Sequence, residues 1–108
     1  MAKAITFFML LLILHNEGQA QVFDTLVKVG NYQLYFEITE GEGTPILFEA
    51  GNGDDGSVWK PLLEDIHERT GASLITYHRA GLGNSGIDTT EISFKGEIEN
   101  LEKVLRKL

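Results

Sequence analysis

Two stretches decide the fold: Pro45-Ile46-Leu47-Phe48-Glu49-Ala50-Gly51-Asn52-Gly53 and Leu74-Ile75-Thr76-Tyr77-His78-Arg79-Ala80-Gly81-Leu82-Gly83-Asn84-Ser85-Gly86. Each opens on an apolar run and closes in a glycine-rich loop. Continuous apolar runs such as Ile46 to Phe48 and Leu74 to Tyr77 suit strands covered on both faces, as in parallel sheets. Between them Val58, Trp59, Leu62, Leu63 and Ile66 recur at helical spacing and share one face. Ser57 is a candidate N-cap, Pro61 fits near a first turn, and Gly71 stands where a helix-ending glycine belongs. The expected unit is β-α-β, with a right-handed crossover.

Working outward, Thr25 to Val29 and Tyr32 to Thr39 read as two strands around Gly30-Asn31. In the second, Tyr32, Leu34, Phe36 and Ile38 alternate with Gln33, Tyr35, Glu37 and Thr39, so one face is buried. The pair is expected to be an antiparallel hairpin. Gly41 to Pro45 then reads as a loop. Downstream, Thr89 to Gly96 leads into a last helix whose apolar face is Phe94, Ile98, Leu101, Leu105 and Leu108. Glu99 with Lys103 and Glu102 with Arg106 stand at i,i+4 in the favourable orientation.

A chain of 108 residues holds one small domain at most. Its 43% apolar and 23% charged residues argue against disorder. The formal charge of −7 repels phosphate backbones, which argues against nucleic acid as a partner. There is no cysteine, hence no disulfide. The first twenty residues have the order of a secretory signal peptide. Lys3 is followed by an apolar run from Ile5 to Leu14, and small residues stand at Gly18 and Ala20. That run would span about 15 Å as a helix against a hydrocarbon core of about 30 Å, so a stable membrane span is not expected. The expectation is cleavage after Ala20, export, and a domain over residues 21–108.

Both glycine loops match G-x-G-x-x-G, over Gly51 to Gly56 and Gly81 to Gly86. Two features oppose a dinucleotide. Asp54 and Asp55 would face a pyrophosphate, and the next strand ends in Tyr77-His78-Arg79 with no acid for a ribose hydroxyl. No cofactor is expected. Ser85 lies in Gly83-Asn84-Ser85-Gly86-Ile87, which lacks the final glycine of G-x-S-x-G and sits in loop context, so it does not read as a nucleophile. His67 reads as a helix surface residue. His78 ends a strand and lacks partners at metal-ligand spacing. Asp54-Asp55 reads as a solvated turn, with no EF-hand spacing, and Trp59 as a core residue between helix and sheet.

The order of strand, glycine loop, helix, strand and glycine loop resembles the opening of the α/β-hydrolases. Arg79, Gly81, Gly83 and Ser85 match that family's Asp-Arg-x-Gly-x-Gly-x-Ser loop, with His78 in place of the Asp. Ala50-Gly51 stands where the family often has His-Gly. The resemblance implies an incomplete α/β fold with strand order 1-2-4-3, in which the third strand would pair with a fifth. It implies a structural second loop that turns the chain back under the sheet. It also implies that Asn52, after the first loop's glycine, offers a backbone N–H to an oxyanion. The nucleophile, acid and histidine of the family would all follow Leu108. The expected function is therefore the N-terminal fragment of an exported hydrolase that acts on a small-molecule ester, amide or related bond, inactive by itself. The alternative is a small exported, non-catalytic binding module whose glycine loops hold a ligand.

Overall fold

A computed structural model of the protein describes residues 20–108. The expected leader lies outside the described residues apart from Ala20, and so does His15. Four strands form one sheet: β1 (Val22–Val29), β2 (Tyr32–Thr39), β3 (Glu42–Phe48) and β4 (Ala72–Tyr77). Their spatial order is β1-β2-β4-β3, as the resemblance implied. β1 and β2 pair antiparallel, with Val29 opposite Tyr32 across Gly30-Asn31. β4 lies antiparallel to β2 and parallel to β3. A 3-10 turn (Gly56–Trp59) and helix α1 (Lys60–Thr70) connect β3 to β4, and helix α2 (Phe94–Leu105) follows the second loop.

Strand edges run further than periodicity alone indicates. β1 starts at Val22 and β4 at Ala72. β3 starts at Glu42, so most of the segment read as a loop is strand. Pro45 is tolerated there because β3 is the outer strand of the described sheet, and a proline without an N–H is admitted at an edge. The register with β4 shifts between Glu42 and Ile46.

The alternation in β2 places Tyr32, Leu34 and Phe36 in a core with Val29, Ile75, Tyr77 and Val104. Phe36 and Val104 are wholly buried. β4 is covered on both faces, whereas β3 is not. Leu47 is exposed and Ile46 and Phe48 are half-buried, because within the described sheet β3 has a neighbour on one side only.

The helices correct several expectations. On α2 the buried centre is Val104, flanked by half-buried Leu101 and Leu105, while Phe94, Ile98 and Leu108 are exposed. The helix meets the sheet at its C-terminal half, so the apolar stripe is covered there and open at its start. α1 buries no residue completely: Leu63 and Ile66 are half-buried, and Val58 and Leu62 are exposed. Ser57 is not the cap. Asp55 caps the 3-10 turn through the Ser57 N–H, α1 itself starts at Lys60 without a side-chain cap, and Pro61 lies in its first turn. Gly71 does end α1 in left-handed conformation, its N–H donating to the His67 carbonyl. Of the expected charge pairs, Arg106 meets Glu102 at 2.7 Å, but Glu99 meets Lys95 at 3.7 Å rather than Lys103. All of these side chains are exposed, so each pair contributes only about 0.2–1 kcal/mol.

Candidate functional site

Both glycine loops leave the carboxyl ends of the parallel neighbours β3 and β4. In open sheets with parallel strands, that end is where ligands bind.

In the first loop the Asp54 N–H donates to the Gly51 carbonyl at 3.2 Å, closing a four-residue turn. Gly53, third in that turn, has φ +86°, the pattern of a type II turn, which wants glycine there. Asn52 is second and exposed, and its N–H does not enter the turn's hydrogen bond. Asp55 Oδ1 accepts from the Ser57 N–H at 2.9 Å, and the Ser57 side chain first, then this N–H, hold its carboxyl below the usual range. Among the described residues no group of three or more His, Asp or Glu side chains could hold a metal ion.

The second loop is tied at four points. The Gly81 N–H donates to Gly86 at 2.8 Å, Leu82 to Arg79 at 2.9 Å, Ser85 to Leu82 at 3.0 Å, and Gly86 to Gln33 of β2 at 2.9 Å. The last bond brings the chain back to the sheet, the structural job expected of this loop. The Ser85 hydroxyl proton is committed to the backbone. Its Oγ accepts from the Tyr35 N–H at 2.9 Å and donates to the His78 carbonyl at 2.5 Å. A nucleophile needs a base on its proton, and among the described residues no serine hydroxyl is bonded to a histidine ring.

His78 stands between the loops. Its Nδ1 accepts from the Asn84 N–H at 2.9 Å, and its Nε2 lies 3.9 Å from Asp55 Oδ1. The ring lies against Tyr35, with centroids 4.6 Å apart. His67 is not a simple surface residue: it is half-buried, and its Nδ1 is 2.9 Å from the Ala72 carbonyl. Trp59 packs on Phe48 with ring centroids 5.3 Å apart, as expected of a helix-to-sheet contact, though it belongs to the 3-10 turn. Its buried Nε1 has no acceptor among the described residues.

Sequence patterns missed a cluster under the loops. The Tyr77 hydroxyl donates to the Glu49 carboxylate. Arg79 lies 3.4 Å from Glu49 through Nε and 3.0 Å from Glu97 through Nη2. Burial first, and then Glu49, pushes the Tyr77 phenol well above its ordinary range. Glu97 strengthens the charged form of Arg79. Each acid is engaged, so the cluster fixes the two strand ends and α2 rather than offering a base. Strand pairing held the clue: Phe48 and Thr76 are partners, so Glu49 and Tyr77 follow them side by side.

A cavity of about 90 Å³ opens between the loops, lined in part by Tyr35, Ser57, Lys60, His78 and Asn84. A larger one, about 510 Å³, lies elsewhere, between β1, β2 and α1, and neither glycine loop lines it.

No family model matches the chain. It is 38% identical over 76 residues to the putative carbamate hydrolase RutD of Azorhizobium caulinodans, covering 70% of this chain and 28% of that protein. Proline iminopeptidase of Lactobacillus delbrueckii is 30% identical over 95 residues, covering 82% and 32%. The uncharacterized protein YqjL of Bacillus subtilis is 39% identical over 64 residues, covering 59% and 24%. Among solved structures, the Cif epoxide hydrolase from Acinetobacter nosocomialis superposes with a TM-score of 0.70 over 81% of this chain and 27% of that one, at 22% identity. The chain carries the N-terminal part of an α/β-hydrolase fold.

This α/β-hydrolase portion spans 24% to 32% of the length of the curated relatives it matches. Among its described residues, no helix is long and apolar enough to cross a membrane. His78, which stands where the family usually has Asp, bonds the loop backbone instead of forming a close ion pair.

Proposed function

We propose that the chain is the N-terminal part of an exported hydrolase that cleaves an ester, amide or related bond of a small-molecule substrate. The Asn52 N–H is one donor of its oxyanion hole, and the nucleophile comes from sequence outside these residues. One observation carries this reading: the turn at the carboxyl end of β3 holds Asn52 exposed, with its N–H outside the turn's own hydrogen bond. Acyl transfer builds negative charge on a carbonyl oxygen, and a backbone N–H already fixed in place stabilises that charge without reorganisation. The relatives named above are called a carbamate hydrolase, a peptidase and an epoxide hydrolase. They share hydrolysis and differ in the bond, so the shared portion supports the reaction class. Export rests on the order of Lys3, the apolar Ile5 to Leu14 and the small residues before Gln21.

Three measurements test the reading. In the producing cells the mature chain should begin at Gln21 by mass spectrometry, and an uncleaved chain would refute export. A fluorophosphonate probe should leave the purified chain unlabelled, and a covalent adduct on any serine of residues 20–108 would overturn the placing of the nucleophile. Asn52→Pro addresses the oxyanion donor. It deletes the N–H at a turn position that proline favours. In a chimera that joins residues 20–108 to the remainder of the carbamate hydrolase relative, it should lower kcat about 10²–10³-fold. An unchanged kcat removes Asn52 from the site.

A further inference from the structure

We propose that His78 is a proton-operated clasp between the two glycine loops: the neutral ring holds the second, and the protonated ring releases it and is drawn to the first. The Asn84 N–H points at Nδ1 at 2.9 Å. An N–H donor requires a lone pair on that nitrogen, so the proton of the neutral ring sits on Nε2. Nε2 in turn faces Asp55 Oδ1 at 3.9 Å, the carboxylate that caps the 3-10 turn after the first loop. One ring is therefore bonded to the backbone of one loop and stands 3.9 Å from the cap of the other.

The fit is close. A Cβ on Gly83 would lie 2.1 Å from His78 Nδ1, and Gly83 has φ +50°, so the loop runs flush against the ring where only glycine passes. The His78 side chain is 13% exposed and lies against Tyr35, which limits escape by a rotamer change. The ionisable groups around it are Tyr35 and Glu37 of β2, Asp55 of the first loop and Lys60 at the start of α1. Arg79 is turned to Glu49 and Glu97, and Ala80 to Gly86 contain no ionisable side chain.

A proton arriving on Nδ1 sets two donors, Nδ1–H and Asn84 N–H, against each other, and the hydrogen bond is lost. The same event makes the ring a cation beside Asp55. The second loop loosens while the ring is drawn toward the first. This goes beyond the proposed hydrolase role, and its readouts involve no catalysis, so the two stand or fall separately.

The experiment is a pH titration of the full chain, labelled with ¹⁵N, from pH 8 to 5. At pH 8 the His78 ring should show the Nε2–H tautomer. The Asn84 amide should then shift with the same midpoint as the ring. His78→Asn places an amide oxygen near the Nδ1 position, and its Asn84 amide should stay flat with pH, whereas His67→Gln should keep the wild-type response. Proteolysis by a broad-specificity protease gives a second reading: cleavage within residues 81–86, relative to the rest of the chain, should rise at least fivefold at pH 5.5 over pH 8, and not in His78→Asn. An Nδ1–H tautomer at pH 8, a different midpoint for Asn84, or an unchanged cleavage ratio overturns the clasp.

Discussion

Replacing Gly56 with alanine tests how tightly the first loop is seated on β4. Gly56 is buried at the start of the 3-10 turn. A Cβ there would lie 2.5 Å from the Tyr77 carbonyl oxygen, 2.9 Å from its carbon and 3.1 Å from its nitrogen. All three are backbone atoms of β4, which is paired on both sides, so none can swing away. The contact is about 0.9 Å shorter than ordinary van der Waals separation, and packed interiors absorb little of that without moving an element. Overpacking of this kind costs about 2–3 kcal/mol. For a domain of this size that corresponds to a fall in Tm of about 10–20 °C. Gly51→Ala is the matched control. It lies in the same loop, its φ is not positive, and its nearest neighbour would be Asp54 Oδ2 at an ordinary 3.8 Å. Its cost should be within about 0.5 kcal/mol. Thermal melts of both variants by circular dichroism decide the matter. Equal Tm values would show that the first loop is not seated against Tyr77.

Phe36→Ala empties a wholly buried ring position in the core and should cost about 3–5 kcal/mol in denaturant melts. Ser85→Ala strands the Tyr35 N–H and the His78 carbonyl, so it should destabilise by about 1–3 kcal/mol. Stability should also fall as pH rises above 10. The Tyr77 phenol has its pKa raised above the ordinary 10.0, so the unfolded chain sheds a proton that the folded chain keeps. That contribution is complete below pH 10 and is lost above it, and alkaline melts of Tyr77→Phe should lack this part of the decline.

The sheet was legible because its signals are local. Period-two alternation in Tyr32 to Thr39 and unbroken apolar runs at Ile46 and Leu74 are set by which face of each strand is dry, and they located three of the four strands. Boundaries were less legible. Glu42 to Pro45 looks like a loop because edge position, not sequence, decides whether a proline can sit in a strand. The apolar face of α2 was drawn too far at both ends, over the exposed Phe94, Ile98 and Leu108. Val104 is the buried centre, but nothing in the spacing says where along a stripe the sheet ends. At the site, the glycine loops and the structural part of Ser85 were visible. The tie from Glu49 to Tyr77 and Arg79 depends on strand ends brought together by parallel pairing. A linear pattern does not carry that information.

Three consecutive residues at the end of β4 explain why so much meets in so small a region. Successive side chains of a strand point to opposite faces. Tyr77 and Arg79 therefore share the face toward α2, where they bind Glu49 after β3 and Glu97 on α2. His78 points to the other face, where it meets Asn84 and Asp55. The backbone of Tyr77 closes the space under Gly56. One short segment thus fixes the first loop, the second loop, the end of β3 and the entry of α2. A one-residue slip in the pairing of β4 would exchange the two faces and break all of these contacts together. The antiparallel register with β2, Phe36 opposite Tyr77, prevents that slip, because Phe36 is wholly buried and has no room on the other face. The hairpin at the start of the chain is therefore what holds the glycine loops in register, although neither of its strands contributes a loop.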